Sequence, residues 1–190
     1  SASSLTFTSG NWNTPQTITV TGINDDVDDG DQTSTVTLSV NDGSSDDDFD
    51  SLDDQTVSVT TTDVDTAGLT ISKEEVLVTE GGTEDTFTVA LATKPTSNVV
   101  ITVSSSDTGE ATVSPAQLTF TPGNWNTAQD VVVTGIDDSA VDGNQSSVIS
   151  LAVVDASSAD EYDSVASGSV IATTTDNDSA GMGATPLSSS

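Results

Sequence analysis

One stretch of this chain occurs twice. Leu5-Thr-Phe-Thr-Ser-Gly-Asn-Trp-Asn-Thr14 returns as Leu118-Thr-Phe-Thr-Pro-Gly-Asn-Trp-Asn-Thr127. The offset holds without a gap through Val20–Ile23 and Val133–Ile136, Asp29-Gly30 and Asp142-Gly143, Phe49 and Tyr162, Asp63-x-Asp65 and Asp176-x-Asp178, and Ala67-Gly68 and Ala180-Gly181. A fixed period of this kind is the mark of a chain built from like structural units. Residues 66–178 make one complete repeat, and residues 1–65 are the C-terminal part of a preceding one. Residues 179–190 begin a third copy and dissolve into Gly, Ala and Ser, which reads as a flexible tail. The fold must therefore fit into one repeat length.

Inside the complete repeat, apolar residues alternate. Phe87, Val89 and Leu91 share one face of a strand, as do Val99, Ile101 and Val103, then Val131 and Val133, then Ile149, Leu151 and Val153. The opposite faces carry Thr, Ser and Ala. Strands are expected at 68–72, 75–79, 84–92, 97–104, 117–121, 127–136, 145–154 and 167–175, separated by Gly, Pro, Asn and Asp turns. That pattern predicts an all-β chain of Greek-key, immunoglobulin-like β-sandwich repeats, one complete and one partial. In the partial repeat, strands are expected at 5–8, 16–23, 34–41 and 55–62. They present Leu5, Phe7, Ile18, Val20, Val36, Leu38, Val40, Val57 and Val59, and these need a facing layer the sequence does not supply. Either the chain is a piece of a longer array or another molecule completes the half repeat.

Composition decides what chemistry is open. The 190 residues include 31 Asp or Glu and 2 Lys or Arg, with no His and no Cys, for a formal net charge of −29. Serine–histidine and cysteine–histidine nucleophiles, thiolates, disulfides and imidazole-ligated zinc are excluded. Two basic residues cannot neutralise phosphates, so nucleic acid is excluded as a partner, and direct membrane insertion is not expected. With 33% hydrophobic residues the chain sits near the disordered range by composition alone, and the strand alternation argues against that reading. No basic, apolar leader opens the sequence, which reads as an excised or processed piece. A carboxylate-pair enzyme needs a cleft lined by aromatics and donors, and 7 aromatic residues do not suggest one, so the chain is read as not an enzyme.

The acidic residues gather at expected strand ends. In the complete repeat these are Glu80, Asp107, Asp137-Asp138, Asp142 and Asp176-Asn177-Asp178; their counterparts in the partial repeat are Asn24-Asp25-Asp26, Asp29 and Asp63-Val64-Asp65. Strands of alternating direction bring several of these ends to one tip. Like charges ~4 Å apart repel by about 1 kcal/mol in water and about 4 kcal/mol at an effective dielectric of 20, so such a cluster calls for cations. Calcium, with six to eight oxygen ligands in loose geometry, suits it better than magnesium. Outlying Asp46, Asp47, Asp48, Asp53 and Asp54 read as solvated surface. Trp12 and Trp125 read as caps on a sandwich end, and Phe49 and Tyr162 as loop anchors.

These residues resemble the Calx-beta domain, found in the calcium sensor of sodium–calcium exchangers and in long bacterial surface proteins. The resemblance is carried by Val78-Thr79-Glu80-Gly81-Gly82, Asp107, Ile136-Asp137-Asp138 with Asp142, and Asp176-Asn177-Asp178-Ser179-Ala180-Gly181. It implies Ca2+ ligands at Glu80, Asp107, Asp137, Asp138, Asp142, Asp176 and Asp178. Gln145 stands where the exchanger-type site has Glu, and Asn177 replaces the middle Asp of the closing triplet, which implies fewer or weaker ions. The partial repeat lacks counterparts of Glu80 and Asp107, and its Asp25, Asp26, Asp29, Asp63 and Asp65 would hold an ion with more water. Calcium at the junction is expected to turn a jointed chain into a rod. The expected function is a calcium-binding extender or filament-building segment of an extracellular or cell-surface, adhesin-like bacterial protein, with neighbouring repeats of the same protein as partners and, if the chain is not a piece of a longer array, another copy completing the half repeat. The alternative is a non-catalytic accessory or carbohydrate-binding module of a secreted polysaccharide-degrading enzyme.

Overall fold

The structure, a computed structural model, describes residues 4–181. The expected tail at 179–190 therefore falls mostly outside the described residues. By its contacts the chain divides into two compact units. One contains the residues up to Asp25 together with Asp29–Val64; the other contains Asp26–Asp28 together with the residues from Asp65 onward.

The second unit is a β-sandwich. Its strands are β3 (Leu69–Ile71), β4 (Glu75–Thr79), β5 (Glu84–Leu91), β6 (Val99–Ser105), β7 (Ala111–Ser114), β8 (Gln117–Phe120), β9 (Gln129–Gly135), β10 (Gln145–Val153) and β11 (Gly168–Thr175). One sheet has the order β4-β11-β10-β6-β8 and the other β3-β5-β9-β7. From β3 to β10 every successive strand crosses to the opposite sheet; only the β10–β11 hairpin stays in one layer. Pairing is antiparallel except between β11 and β4, which run parallel with Thr175 opposite Thr79. The two-residue alternation is borne out in the core. Phe87, Val89, Val131 and Val133 of one sheet face Ile101, Phe120, Ile149, Leu151 and Val170 of the other, all at 0% exposure. Leu118 and Val76 close the ends of this layer.

Two details of the strand set differ from the expectation. Ala111–Ser114 forms β7, paired with β9 from Ala111 opposite Gly135 to Ser114 opposite Val132. Four residues are too short for alternation to show. Among the described residues of the first unit, only β1 (Gln32–Leu38) and β2 (Gln55–Thr61) form, and residues 5–8 and 16–23 are not strands. Their counterparts β8 and β9 are held by β6, β5 and β7, and residues 4–65 contain no equivalents of those three. Strand propensity without a partner leaves backbone groups to water, so the segments stay irregular.

The repeat is nevertheless exact in register. Gln32 lies opposite Thr61 and Val36 opposite Val57, as Gln145 lies opposite Thr174 and Ile149 opposite Val170. Local turns repeat as well. Thr8 N donates to Asn11 Oδ1 at 2.5 Å and Thr121 N to Asn124 Oδ1 at 2.6 Å. Burial does not repeat: Trp12 is 71% exposed and Phe49 54%, whereas Trp125 packs against the core and Tyr162 is fully buried. The anchoring role expected of these aromatics is thus met in the second unit and not in the first. Tyr162 Oη donates to the Thr93 carbonyl at 2.6 Å and lies 2.9 Å from Thr93 Oγ1, tying the loop after β10 to the β5–β6 connection.

Candidate metal centre

Strand direction gathers one end of nearly every strand of the second unit at a single tip. β4 runs into Glu80, β6 into Asp107, β9 into Asp137 and Asp138, and β11 into Asp176, while Glu110 precedes β7 and Asp142 precedes β10. The turn from β4 to β5 passes through Gly81 and Gly82, both at positive φ (89° and 88°), a backbone that side-chain-bearing residues rarely adopt. Gly135 permits the tip to close. A Cβ there would sit 2.4 Å from the Thr79 carbonyl oxygen, directly behind Glu80.

Two groups of three carboxylates result. Glu80, Asp176 and Asp178 each offer an oxygen within 4.8 Å of the others, and so do Glu110, Asp138 and Asp142. Glu80 is 4% exposed and its Oε2 accepts from Asn177 N at 3.2 Å. Asp176 accepts twice, from Gly143 N at 2.8 Å on Oδ2 and from Asp178 N at 2.7 Å on Oδ1. Glu110 is fixed through its main chain: its carbonyl accepts from Ile136 N at 2.8 Å and from Thr174 Oγ1 at 3.2 Å. Asp107 and Asp137 lie outside both groups. Asp107 Oδ1 closes its own turn on Gly109 N at 2.9 Å, and Asp137 Oδ1 accepts from Asn177 Nδ2 at 3.2 Å.

Glu110 was absent from the sequence-derived set. It follows Asp107 by three residues and immediately precedes β7, so recognising that strand would have placed it at the tip. In the partial repeat, Asp25, Asp26, Asp29, Asp63 and Asp65 form no three-carboxylate group among the described residues. Asp63 Oδ2 accepts from Asp29 N at 3.0 Å and Gly30 N at 2.7 Å, the counterpart of the Asp176–Gly143 bond.

The tip is electrostatically loaded. Desolvation, followed by the charges of Asp142, Asp107, Asp138 and Glu80, raises the Glu110 carboxyl above its ordinary 4.5. Asp178 is raised above 3.8 by desolvation and then by Asp176, Asp137, Asp138 and Asp142. For Glu80, the Asn177 N–H bond pulls downward, and burial with the charges of Asp176, Asp138 and Asp178 outweighs it. Glu110 Oε2 and Asp178 Oδ2 are buried without a hydrogen-bond partner. Buried carboxylate oxygens without donors are costly, and no basic side chain stands near them to compensate. One oxygen in each group is thus left for a ligand that supplies positive charge. Calcium binds oxygens at about 2.4 Å, so any two ligands of one ion lie within ~4.8 Å of each other, a condition that the oxygens of both groups meet. The residues fit a hard cation.

No family model matches the chain, and no curated protein matches it significantly. Among solved structures, the apo-form Calx CBD1 domain is similar at 15% identity with a TM-score of 0.45, over 60% of this chain and 100% of that one. PapD-like domain 7 of human CEP192 matches at 11% identity and a TM-score of 0.44, over 59% and 87%. The E. coli chaperone DraB matches at 7% identity and a TM-score of 0.42, over 57% of this chain and 55% of its own. Among the described residues, no helix is long and apolar enough to cross a membrane.

Proposed function

We propose that this chain is a calcium-binding structural repeat of the Calx-beta type, a non-catalytic extender segment of a secreted or cell-surface, adhesin-like protein. The observation that carries the reading is the pair of three-carboxylate groups at one tip, each with a buried oxygen that no protein donor satisfies. Glu80, Asp176 and Asp178 would hold one ion, and Glu110, Asp138 and Asp142 another, with Asp107 and Asp137 close enough to add charge. Loose oxygen coordination favours calcium over magnesium, which demands a tighter octahedron and keeps its waters. Repetition of the acidic pattern along the chain supports a mechanical role, in which ion loading stiffens successive units.

Thermal unfolding of the chelator-treated protein, with calcium or magnesium titrated back, tests this. A ligand at 100 times its Kd stabilises a fold by about 2.7 kcal/mol per site. For a domain of this size that moves the Tm by on the order of 10 °C. Glu110→Gln should reduce the calcium shift without lowering the metal-free Tm. A midpoint indifferent to millimolar calcium overturns the calcium reading.

A further inference from the structure

Three Asp-Gly dipeptides occur in the chain: Asp29-Gly30, Asp42-Gly43 and Asp142-Gly143. An aspartate followed by glycine is chemically vulnerable, because the glycine amide nitrogen can attack the aspartyl side-chain carbonyl with no Cβ to crowd its approach. The nitrogen loses its proton and the carboxyl its hydroxyl, together as one water, and a succinimide ring closes. Water then adds to either ring carbonyl and reopens it, to aspartate or to isoaspartate, in which the main chain runs through the side-chain carbon. The attacking N–H must be free, and the turn around it must be able to open.

Two of the three sites are held. Gly30 N donates to Asp63 Oδ2 at 2.7 Å, and Gly143 N to Asp176 Oδ2 at 2.8 Å. Both glycines sit at positive φ, 71° and 78°, and the side-chain amides of Gln32 and Gln145 donate to the Asp29 and Asp142 carbonyls. A carboxylate that accepts the N–H opposes loss of its proton, because it would face the negative charge forming on nitrogen. Asp42-Gly43 is different. It lies in a single 3-10 turn, Asp42–Ser44, that buries no residue. The bond closing that turn, from Ser45 N to the Asp42 carbonyl, is 3.5 Å long, and Gly43 N has no acceptor among the described residues. The complete repeat has the same turn at Asp155–Ser157, also exposed although its sandwich is closed, so the openness belongs to the repeat itself. There Ala156 stands in place of the glycine. We propose that Asp42 is a site of spontaneous isoaspartate formation, and that the Asp63 and Asp176 carboxylates protect Asp29 and Asp142 from the same reaction. This proposal does not depend on the calcium reading.

The test is the intact 190-residue protein aged in chelator at neutral pH and physiological temperature. Isoaspartate is located by peptide mapping with electron-transfer fragmentation, which tells apart the two isomers of equal mass. It should accumulate at Asp42 faster than at Asp29 or Asp142 by ~10-fold or more, the factor set by one charge-assisted hydrogen bond that must break first. In urea, where only the shared dipeptide remains, the three rates should converge. Asp63→Ala should raise the rate at Asp29 alone, and Asp176→Ala the rate at Asp142 alone. Gly43→Ala should slow the reaction at Asp42 to the level of Asp155. Amide hydrogen exchange makes the comparison without a variant: Gly30 and Gly143 should exchange more slowly than Gly43 by ~10-fold or more. Each of four results overturns the proposal: no isoaspartate at Asp42 in the native protein while it forms in urea, equal native rates at the three sites, rates in urea that keep the native differences, or rates at Asp29 and Asp142 unmoved by Asp63→Ala and Asp176→Ala.

Discussion

The repeat allows one substitution to be made twice in nearly the same sequence, and the structure predicts opposite outcomes. Phe120 on β8 is 0% exposed, pairs across to Val99 and lies in the buried core beside Leu118. Phe7 occupies the same place in Leu-Thr-Phe-Thr but is 54% exposed and belongs to no strand. Phe120→Ala removes a whole ring from a closed core, where truncation of this kind costs about 3–5 kcal/mol in lost transfer energy and residual cavity. A domain of this size has about 5–15 kcal/mol in total, so a third or more of its stability is at stake. Phe7→Ala loses a half-exposed contact, at most about 1 kcal/mol at the usual apolar coefficient. Urea unfolding followed by far-UV circular dichroism reports both units together. At an m-value of ~1.5 kcal/mol/M, Phe120→Ala should bring the main transition down by about 2–3 M, and Phe7→Ala should leave every transition within ~0.7 M. If the two substitutions shift the curve equally, or if Phe120→Ala moves it by less than ~0.5 M, then the difference in packing between the repeats is wrong.

Gly135→Ala must push its new Cβ away from the Thr79 carbonyl, 2.4 Å distant, so it should lower the Tm and weaken the calcium-induced shift together. The matched Gly22→Ala meets only the Thr61 side chain at 3.1 Å and should be mild by the same assay. Tyr162→Phe deletes the two hydrogen bonds to Thr93 inside a closed site and should cost about 1–2 kcal/mol by denaturant titration, whereas Phe49→Leu in the first unit should be silent. In chelator, stability of the second unit should fall as pH rises. Glu80, Glu110 and Asp178 have folded pKa values above their unfolded ones, so the folded state binds more protons and its advantage is lost on passing upward through the folded values. Asp85, held down chiefly by the Lys73 hydrogen bond, acts oppositely, but only as pH drops below its ordinary 3.8. A Tm that rises between about pH 4.5 and pH 7 without metal would refute the electrostatic account, and calcium should flatten or reverse the slope.

Much of the second unit could be read from the sequence, because alternation over five or more residues names both the strand and its buried face. Phe87-Thr-Val-Ala-Leu91 and Ile149-Ser-Leu-Ala-Val153 have no other sensible placement. Ala111–Ser114 was missed for want of length, and Glu110 with it, since a carboxylate can be assigned to a strand end only if the strand is seen. Residues 5–8 and 16–23 show the opposite failure. Their alternation is as clear as that of β8 and β9, but alternation specifies which face would be buried, not whether a partner strand exists to bury it. Trp12 is exposed for the same reason: the Trp125 carbonyl accepts from Leu91 N of β5 at 2.9 Å, and the described residues of the first unit contain no such strand.

Local chemistry and tertiary chemistry therefore separate cleanly in this chain. Bonds within a half repeat recur in both copies: Gly30 N on Asp63 and Gly143 N on Asp176, Gln32 Nε2 on the Asp29 carbonyl and Gln145 Nε2 on the Asp142 carbonyl. Whatever needs the β3–β7 block does not recur, and the carboxylate groups fall in that class. Each draws one glutamate from the block, Glu80 or Glu110, and two aspartates from the later half, Asp176 with Asp178 or Asp138 with Asp142. By the repeat offset, Asp63 with Asp65 and Asp25 with Asp29 are the same two pairs without their glutamates. Two carboxylates leave most of a calcium shell to water, whereas a third from a rigid strand end begins a site.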